Sequence, residues 1–525
     1  TKEEASASGV TNIMSAVSAG ENLTVTATRD INATGAALMA QGGLTLAAGG
    51  DVNLLAATDS FASSHHKSDL FIGATVSAAS PLIDAGNKIV SGVQGAAGPN
   101  GAYSVPVAAL GAYKAVKVVQ AAEAAAKAKE PFELGSVSVM AGVSVSKSSS
   151  SSATARPVVT TLQSGGDTLI LAGTGPSGSG SIRGEGVQIT AGVPGSALGA
   201  GNIILSAADD ISLTSAQATS QSGFSSMQAS IGAGVSFNVK LGQTPTPSFA
   251  FEASAASSKG GESTTSHLNS HVVGTGTVML LSGGDTALKG AVASGEQVIV
   301  DAGGDLVIES RQDTASYRET SRSASVGGTI GGGVIGASGS ASQSRVTGDF
   351  ASVGEQSGIV AGRGGYDVTA GGKVDLTGGV ISSTAEAEDN YLSARELAWR
   401  DVQNSSASSS SGFGVGFGVN FGSAETEAGK DVAARYPGTL TPIVNMPARE
   451  GESGATRATV TPGTLELSDQ RQDLVSLNRD AGAAHVSVEA YDIARLKARQ
   501  EGAAALSELL NGLTGDLSVK IGLKD

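Results

Sequence analysis

A repeat of about twenty residues, built around paired glycines, constrains the fold of this chain more than any other feature. Residues 278–288 read VMLLSGGDTAL and residues 298–308 read VIVDAGGDLVI, so that Gly283-Gly284-Asp285 is answered by Gly303-Gly304-Asp305. The β-branched runs predict short strands, and each glycine pair predicts a corner with positive φ. The aspartates are expected to bond their own backbone at the turn.

Past each corner, side chains are expected to alternate between the inside and the outside of a coil. Because no single coil can bury its apolar face alone, coils must stack. The predicted fold class is therefore all-β, a right-handed parallel β-helix with about twenty residues per coil. The side chains expected to point inward are Leu23, Leu46, Leu54, Ile211, Leu213, Thr286, Leu288, Leu306, Ile308, Val374 and Leu376.

The composition suits a thin, repetitive β-structure and excludes several kinds of site. Only 4% of the 525 residues are aromatic and 15% are charged, whereas 74 are glycine. The net charge of −15 argues against a nucleic-acid surface, because phosphate binding needs clustered Lys and Arg. The sequence contains no cysteine, so it has no disulfides, thiol nucleophiles or thiolate metal sites.

The N-terminal residues have no signal-peptide pattern, and no apolar run reaches the roughly 18 residues of a transmembrane helix. If the protein is exported, we expect this chain to be an internal fragment whose signal lies upstream.

Breaks in the repeat divide the chain into five predicted regions. An Ala-rich run at 108–129 predicts a helix after a Gly/Pro-rich loop at 95–106. Ser468 is expected to cap a helix over 469–479, and a second, amphipathic helix is expected between Val486 and Leu513. The regions are β-helix coils at 1–69, a loop and helical insertion at 70–131, repeat coils with Gly/Ser-rich hairpin excursions at 132–423, a Pro-containing linker at 424–467 and a helical tail at 468–525.

Four Gly/Ser-rich segments alternate strictly between small and apolar residues, at 136–145, 230–239, 325–334 and 412–421. We interpret them as β-hairpin excursions that leave the coil and are held against its side. About ten residues is also the length of a strand that crosses a bilayer. Two hypotheses stay open: the apolar face docks on the flank of the β-helix or pairs with the next excursion, or it faces a membrane or a partner. The clearest such face consists of Phe413, Val415, Phe417, Val419 and Phe421.

Several patterns imitate catalytic or ligand sites. His267 and His271 have the spacing of a helical metal pair, but on a strand residues four apart are more than about 10 Å from one another. His65-His66 has the same weakness. Residues 173–178 match a dinucleotide-type glycine pattern without a following helix, and Gly372-Lys373 is not followed by Ser or Thr. No metal, cofactor or small-molecule site is predicted.

A lateral groove that cleaves polysaccharides is the enzymatic alternative, since such chemistry needs clustered carboxylates. Its candidate residues are Glu296, Asp301, Glu309, Arg311 and Asp313. Because a solvated face needs charged residues in any case, we predict that the chain is not an enzyme.

Several segments in the second half of the chain resemble the haemagglutinin repeat of filamentous-haemagglutinin-like proteins. They are residues 317–326, 349–359, 364–369, 377–387 and 399–404. The match is closest to the second repeat region of contact-dependent growth inhibition toxins. Segments 455–457, 463–465 and 472–480 are similar to the stretch that precedes the pretoxin region in those proteins.

The resemblance implies a secreted protein on the surface of a Gram-negative bacterium, exported by two-partner secretion through an outer-membrane transporter. In the toxin branch of the family this region implies contact with the target cell's outer membrane or its receptor and passage of a C-terminal toxin. In the adhesin branch it implies a stalk that binds host or bacterial surfaces. We expect the secretion domain, the pretoxin signature and the toxin to lie outside this chain.

Overall fold

The computed structural model describes residues 1–96, 101–128, 133–176, 178–193, 201–240, 244–331, 334–422, 439–503, 505, 506 and 509. After an initial strand, the chain repeats one unit four times: six short strands are followed by two long strands that pair as a hairpin.

The first unit and the strand before it contain β1 (Lys2–Val10), β2 (Ser15–Ala19), β3 (Leu23–Ala27), β4 (Ile31–Thr34), β5 (Ala36–Ala40), β6 (Leu44–Ala48), β7 (Val52–Leu55), β8 (Ala57–Ala79), helices α1 (Pro81–Ala96) and α2 (Gly101–Ala128), and β9 (Glu133–Val158). The second unit contains β10 (Thr161–Ser164), β11 (Thr168–Ala172), β12 (Ile182–Glu185), β13 (Gln188–Ala191), β14 (Ile203–Ala207), β15 (Ile211–Thr214), β16 (Ala216–Lys240) and β17 (Thr246–Leu268).

The third unit contains β18 (Ser270–Gly274), β19 (Thr277–Ser282), β20 (Thr286–Lys289), β21 (Ala291–Gly295), β22 (Gln297–Ala302), β23 (Leu306–Glu309), β24 (Gln312–Gly331) and β25 (Val334–Val353). The fourth unit contains β26 (Gly358–Ala361), β27 (Tyr366–Ala370), β28 (Lys373–Thr377), β29 (Val380–Ser383), β30 (Tyr391–Ala394), β31 (Glu396–Arg400), β32 (Val402–Gly422) and β33 (Thr439–Thr456). It is followed by β34 (Thr459–Val460), β35 (Thr464–Leu467) and a helix over residues 493–503.

The short strands stack into three long parallel sheets, an arrangement consistent with a parallel β-helix. Their orders are β2-β5-β10-β13-β18-β21-β26-β29-β34, β3-β6-β11-β14-β19-β22-β27-β30-β35 and β4-β7-β12-β15-β20-β23-β28-β31. The two copies of the repeat lie in adjacent coils, with Val278 opposite Val298 and Leu280 opposite Val300. The predicted β-rich solenoid is therefore confirmed at this level.

The core is a column of aliphatic side chains enclosed by these three sheets. Full burial of each Leu, Ile or Val contributes about 1.5–3 kcal/mol, so the column stabilises every coil against its neighbours. Ten of the eleven predicted inward side chains are completely buried, and Leu23, in the first coil, is half-buried against the same column. The period-two alternation located these positions correctly.

The glycine pairs do not have positive φ, contrary to the prediction. They are required because consecutive coils approach too closely for a side chain: a Cβ on Gly303 would overlap the carbonyl oxygen of Gly283. The aspartates also bond differently from the expectation. Asp285 Oδ1 accepts from the backbone N–H of Asp305, in the next coil, at 2.8 Å. The aspartate of one corner thus forms a hydrogen bond with the backbone of the coil stacked on it.

Four of the glycines with positive φ lie at the corner between the third sheet and the first. Gly35, Gly186, Gly290 and Gly378 turn this corner in the first coil of each unit, with φ of 54°, 60°, 70° and 55°. In the second coil of each unit the chain leaves at the same corner and makes the long hairpin. The hairpins therefore all leave the β-helix along one side.

The spacing of the hairpins along the β-helix allows the strands of successive hairpins to pair. Two stacked coils rise about 9.6 Å, and two paired strands also span about 9.6 Å, so successive hairpins meet without a gap. They form one antiparallel sheet of order β1-β8-β9-β16-β17-β24-β25-β32-β33. The hairpins thus pair with one another to form a sheet. This differs from the expectation that each hairpin is held against the side of the coil.

Three other regions differ from the expected organisation. Helices α1 and α2 lie between β8 and β9, and α2 begins within the expected loop and includes Pro106. In the expected linker, residues 439–467 instead form β33, β34 and β35, which extend three sheets; residues 423–438 lie outside the described part.

Residues 469–479 do not form the expected helix capped by Ser468; they contain a single 3-10 turn, Leu474–Ser476, and close the end of the β-helix. The side-chain amides of Gln470 and Gln472 each bond the N–H and carbonyl of one residue of β31, Leu397 and Trp399 respectively. In the part of the chain that is described, no helix is both long and apolar enough to cross a membrane.

Candidate functional site

The antiparallel sheet sorts its side chains by parity between two faces. Residues directly opposite one another on paired strands project to the same side. One row across seven strands is Ile72, Val143, Ile231, Ala253, Val326, Gly339 and Phe417. We call the side that carries this row the open face and the other side the covered face.

Five rows of the open face, in the half of the sheet distant from the β-helix, form what we call the apolar zone. Its large apolar members are Leu70, Ile72, Val76, Val137, Val139, Val143, Val145, Ile231, Val235, Phe237, Phe249, Phe251, Val326, Ile330, Ile335, Val415, Phe417 and Val419. Among the described side chains of these rows there is no Asp, Glu, Lys or Arg.

The apolar zone is large for a protein surface. Four steps of two residues along the strands extend about 27 Å, and seven strands span about 29 Å, which gives roughly 800 Å². The largest apolar patch of a typical monomer is about 300–600 Å², and larger ones mark interaction sites. Ile72 is 72% exposed and Ile231 is 64% exposed. These side chains are therefore available to a partner.

The residues singled out from the sequence lie on this face. Val415, Phe417 and Val419 belong to the apolar zone, and Phe413 lies on the open face in the adjoining row. At the end of β32, Phe421 pairs with Ile335, but its side chain lies outside the described residues. That these residues face a membrane or a partner stays a prediction.

Sequence reasoning missed the strands that complete the zone. Ile72 and Val76 on β8, Phe249 and Phe251 on β17, and Ile335 on β25 were not assigned to it. Their alternation is short and interrupted by Ala, Gly and Pro, so it does not stand out along the chain. The usable signal would have been the pairing itself, because each of these residues lies opposite a member of a recognised segment.

The covered face of the same half consists mainly of Gly and Ser, with Phe71, Met140 and Glu252 among its other residues. Ser138 bonds Ser236 at 2.9 Å, and hydroxyl pairs link other strands in the same way: Ser230 to Ser254 and Ser325 to Ser340, both at 2.8 Å. The hydroxyl pairs make this side of the sheet more polar than the open face. The two faces of one sheet are thus chemically opposite.

Nearer the β-helix, the covered face is occupied by the C-terminal segment. Leu496 is fully buried against Tyr317 and Val346. Lys497 Nζ makes an ion pair with Glu319 at 2.6 Å. Burial raises the pKa of the Tyr491 hydroxyl, in the same segment, to about 12. This packing leaves the open face as the accessible side of the sheet.

The structure separates the two histidines suggested as a metal pair. His267, at the end of β17, bonds the carboxylate of Asp313, whereas His271, in β18, bonds Glu355 at 2.9 Å. The hydrogen bond that His271 donates to the Glu355 carboxylate raises the pKa of His271, and burial partly opposes this effect. No group of three His, Asp or Glu within the described ranges could hold a metal ion.

The carboxylates proposed for a polysaccharide site are also dispersed. Asp301 lies in β22, Glu309 pairs with Arg311 at the end of β23, and Asp313 bonds His267. Glu296 lies between β21 and β22, where it pairs with Arg363. The five charged residues are thus distributed over several strands and corners, and Glu309, Asp313 and Glu296 bond different partners.

The two glycine motifs are parts of the coil. Residues 173–178 connect β11 to β12, with Ser177 outside the described residues. Lys373 bonds Asp375 at 2.8 Å, and its backbone N–H donates to Asp305. Neither segment opens a helix, so neither provides a phosphate-binding helix N-terminus.

Comparison with known proteins identifies a repeat family in the sequence. The family model described as "Hemagglutinin repeat" matches residues 1–98 and 141–324, more than half of the chain. The two ranges include the first two hairpins, apart from α2 and the start of β9, and they end within β24, the first strand of the third hairpin. No solved structure matches the chain.

Three relatives show how the match extends. The tRNA nuclease CdiA of Escherichia coli (strain NC101) is 32% identical over 71% of this chain, and the deoxyribonuclease CdiA of Dickeya dadantii is 31% identical over 71%. The toxin CdiA of Yersinia pestis is 30% identical over 84%. The chain covers only 11%, 11% and 13% of these relatives, respectively.

The matched region is therefore a small part of each relative, and it coincides with coils and hairpins. The two ranges of the family model cover the coils and hairpins of the first two units and the coils of the third. The chain belongs to the hemagglutinin-repeat family and is homologous over most of its length to CdiA contact-dependent inhibition toxins.

Proposed function

We propose that this chain is a non-enzymatic segment of a secreted bacterial surface exoprotein, and that it helps to deliver a C-terminal toxin to the outer membrane of a neighbouring cell. The apolar zone is the observation that carries the proposal. An exposed apolar patch of about 800 Å² on a soluble protein marks a site where a partner binds. Its depth of about 27 Å is close to the roughly 30 Å of a bilayer's hydrocarbon core.

The proposal assigns different tasks to the two parts of the fold. The β-helix, with a right-handed coil of about twenty residues, supplies length and a rigid base. The sheet presents the apolar zone to the target surface. The parent protein is exported through an outer-membrane two-partner-secretion transporter and stays on the Gram-negative cell surface. Toxin activity belongs to another part of that parent, as the relatives named nuclease or toxin suggest.

Binding to neutral phosphatidylcholine vesicles tests the membrane part of this proposal. The chain is expected to sediment with the vesicles, which then protect the four hairpin ends from protease. A variant with four polar substitutions in one row, Val143→Ser, Ile231→Ser, Val326→Ser and Phe417→Ser, should lose most of that binding. The matched control changes the neighbouring row of the covered face, with Ser144→Ala, Ser230→Ala, Ser325→Ala and Ser340→Ala.

Equal binding by the two variants would contradict the proposal, as would free access of protease to the hairpin ends. Binding to glycans or cell-surface proteins without any lipid binding would instead favour an adhesin stalk. Turnover of a polysaccharide by the chain would favour the enzymatic alternative.

A further inference from the structure

The charged residues of the antiparallel sheet are also divided between its two faces. On the covered face they are mainly acidic, with Glu252, Glu262, Glu319, Glu450 and Glu452. On the open face they are mainly basic, with Lys147, Lys259, Arg318, Arg322, Arg345 and Arg449. Such a concentration of cations is unexpected on a chain of net charge −15.

Four of these cations surround one hydroxyl. Thr320 on β24 lies opposite Lys259 on β17 and opposite Arg345 on β25. Along β24 itself, Arg318 and Arg322 are two residues to either side, on the same face. Strand geometry places the Cα atoms of the two cross-strand neighbours about 5 Å from that of Thr320, and the other two about 7 Å away.

Three of the four cations have no counter-charge. Arg318 pairs with Asp349 at 3.1 Å, whereas Lys259, Arg322 and Arg345 make no ion pair with any residue that the structure describes. All four are exposed. Like charges this close repel one another, so the arrangement is unfavourable unless an anion neutralises it.

The cluster borders the apolar zone directly. The row between Arg322 and the rest of the zone contains Ala255, Ala324 and Ala341. Lys147 lies in the same row as Arg322, beside a groove of about 480 Å³ where Lys2 makes an ion pair with Glu4 at 2.7 Å. Cations thus follow the edge of the zone that is nearer the β-helix.

We propose that Lys259, Arg322 and Arg345, with the Thr320 hydroxyl, bind the phosphate of an anionic lipid headgroup whose acyl chains contact the apolar zone. The charge complementarity is specific: guanidinium groups donate paired hydrogen bonds to phosphate oxygens, and Lys adds a point charge. A lipid is the ligand that presents a phosphate at the edge of a hydrocarbon layer. This inference rests on the proposed function and adds the headgroup chemistry that the membrane contact selects.

The test compares vesicles of phosphatidylcholine with vesicles of phosphatidylcholine and phosphatidylglycerol at 3:1, using the full chain at 150 mM NaCl. The triple variant Lys259→Gln, Arg322→Gln, Arg345→Gln should bind the phosphatidylglycerol vesicles about 100-fold more weakly, because each Lys or Arg near an anionic surface contributes about fivefold. Its binding to phosphatidylcholine should be unchanged.

Two control variants separate the cluster from net charge and from folding. Arg29→Gln, Arg395→Gln, Arg400→Gln removes three exposed cations of the β-helix and should change binding less than twofold. Lys259→Arg, Arg322→Lys, Arg345→Lys keeps the charges and should retain most of the preference for phosphatidylglycerol. An equal loss in the β-helix variant would overturn the proposal.

Other outcomes distinguish this inference from the proposed function. Equal binding of the unaltered chain to both kinds of vesicle overturns the headgroup site and leaves the membrane contact standing. Binding to neither overturns both. If 10 mM inorganic phosphate displaces the chain from phosphatidylglycerol vesicles at constant ionic strength, the cluster binds free phosphate, and the lipid assignment is wrong.

Discussion

The β-helix and the distal half of the antiparallel sheet use the same alternation of small and apolar residues with opposite results. In the β-helix the alternation points into a closed column, where Leu205 and Leu280 have no exposed surface. In the sheet it points to one open side, where Ile231 is 64% exposed. Closure by three corners makes the difference, because a flat sheet has no second wall. The apolar residues of the column stabilise the fold, whereas those of the zone remain available for contact.

A single corner decides which of the two structures a coil produces. Where Gly35, Gly186, Gly290 or Gly378 turns the corner, the chain enters the next coil directly. Where that glycine is missing, the chain leaves and returns as a hairpin. Since this happens in every second coil, the hairpins are spaced to pair. The presence or absence of this glycine in alternate coils therefore accounts for both the β-helix and the antiparallel sheet.

The largest expected contrast is between truncating the column and truncating the zone. Leu280→Ala should destabilise the chain by about 2–5 kcal/mol, because it removes a fully buried side chain and leaves a cavity. Ile231→Ala should change stability by less than about 0.5 kcal/mol. The midpoint of urea unfolding measures both. A comparable loss for Ile231→Ala would mean that the zone is packed in the folded protein.

A smaller effect is expected where adjacent coils touch. Gly303→Ala should cost roughly 1–3 kcal/mol, since the added Cβ meets the carbonyl oxygen of Gly283 and the coils must separate. Gly20→Ala is the matched control, because no atom lies within 4 Å of a Cβ built there. Its unfolding midpoint should stay the same or rise slightly. If both substitutions were neutral, close stacking would not explain the glycine pairs.

The smallest expected effect is a pH dependence at the base of the hairpins. Glu355 raises the pKa of His271 above its ordinary value of 6.5. The ion pair therefore stabilises the folded chain below about pH 6.5, and its contribution is lost as the pH rises through the raised pKa. A partly exposed pair of this kind contributes about 0.5 kcal/mol.

The measurement for this pair is the difference in unfolding midpoint between the unaltered chain and Glu355→Gln, from pH 5.5 to 8. The difference should shrink as the pH rises. His485 has a pKa lowered by burial and contributes with the opposite sign, so only the comparison between variants isolates His271. A difference that grows with pH would contradict the assignment.

The β-helical core could be predicted from the sequence because its signals are local. Strand alternation and the repeat identify Leu46, Leu288 and Leu376 without knowledge of any contact. The corners were mispredicted at the glycine pairs, since Gly303 is required by the coil stacked on it and not by its own φ. A requirement imposed by a residue twenty positions away cannot be read from one turn.

The apolar zone could be predicted only in part. Phe417 and its neighbours on β32 stand out along the chain, but Phe249 and Ile72 join them only through pairing between strands. That pairing depends on the number of coils between hairpins. The cationic cluster is less visible still, because Lys259 and Arg345 are 86 positions apart in the sequence and meet on either side of Thr320.

The central claim is that the open face, and not the covered face, contacts lipid. Because the chain has no cysteine, a single introduced Cys can carry an environment-sensitive fluorophore at either of two adjacent positions, Ile231→Cys on the open face or Ser230→Cys on the covered face. On addition of phosphatidylcholine and phosphatidylglycerol vesicles, the emission of the label at position 231 should shift to shorter wavelength while that at position 230 stays unchanged. Equal shifts at both positions, or none at position 231, would contradict the account.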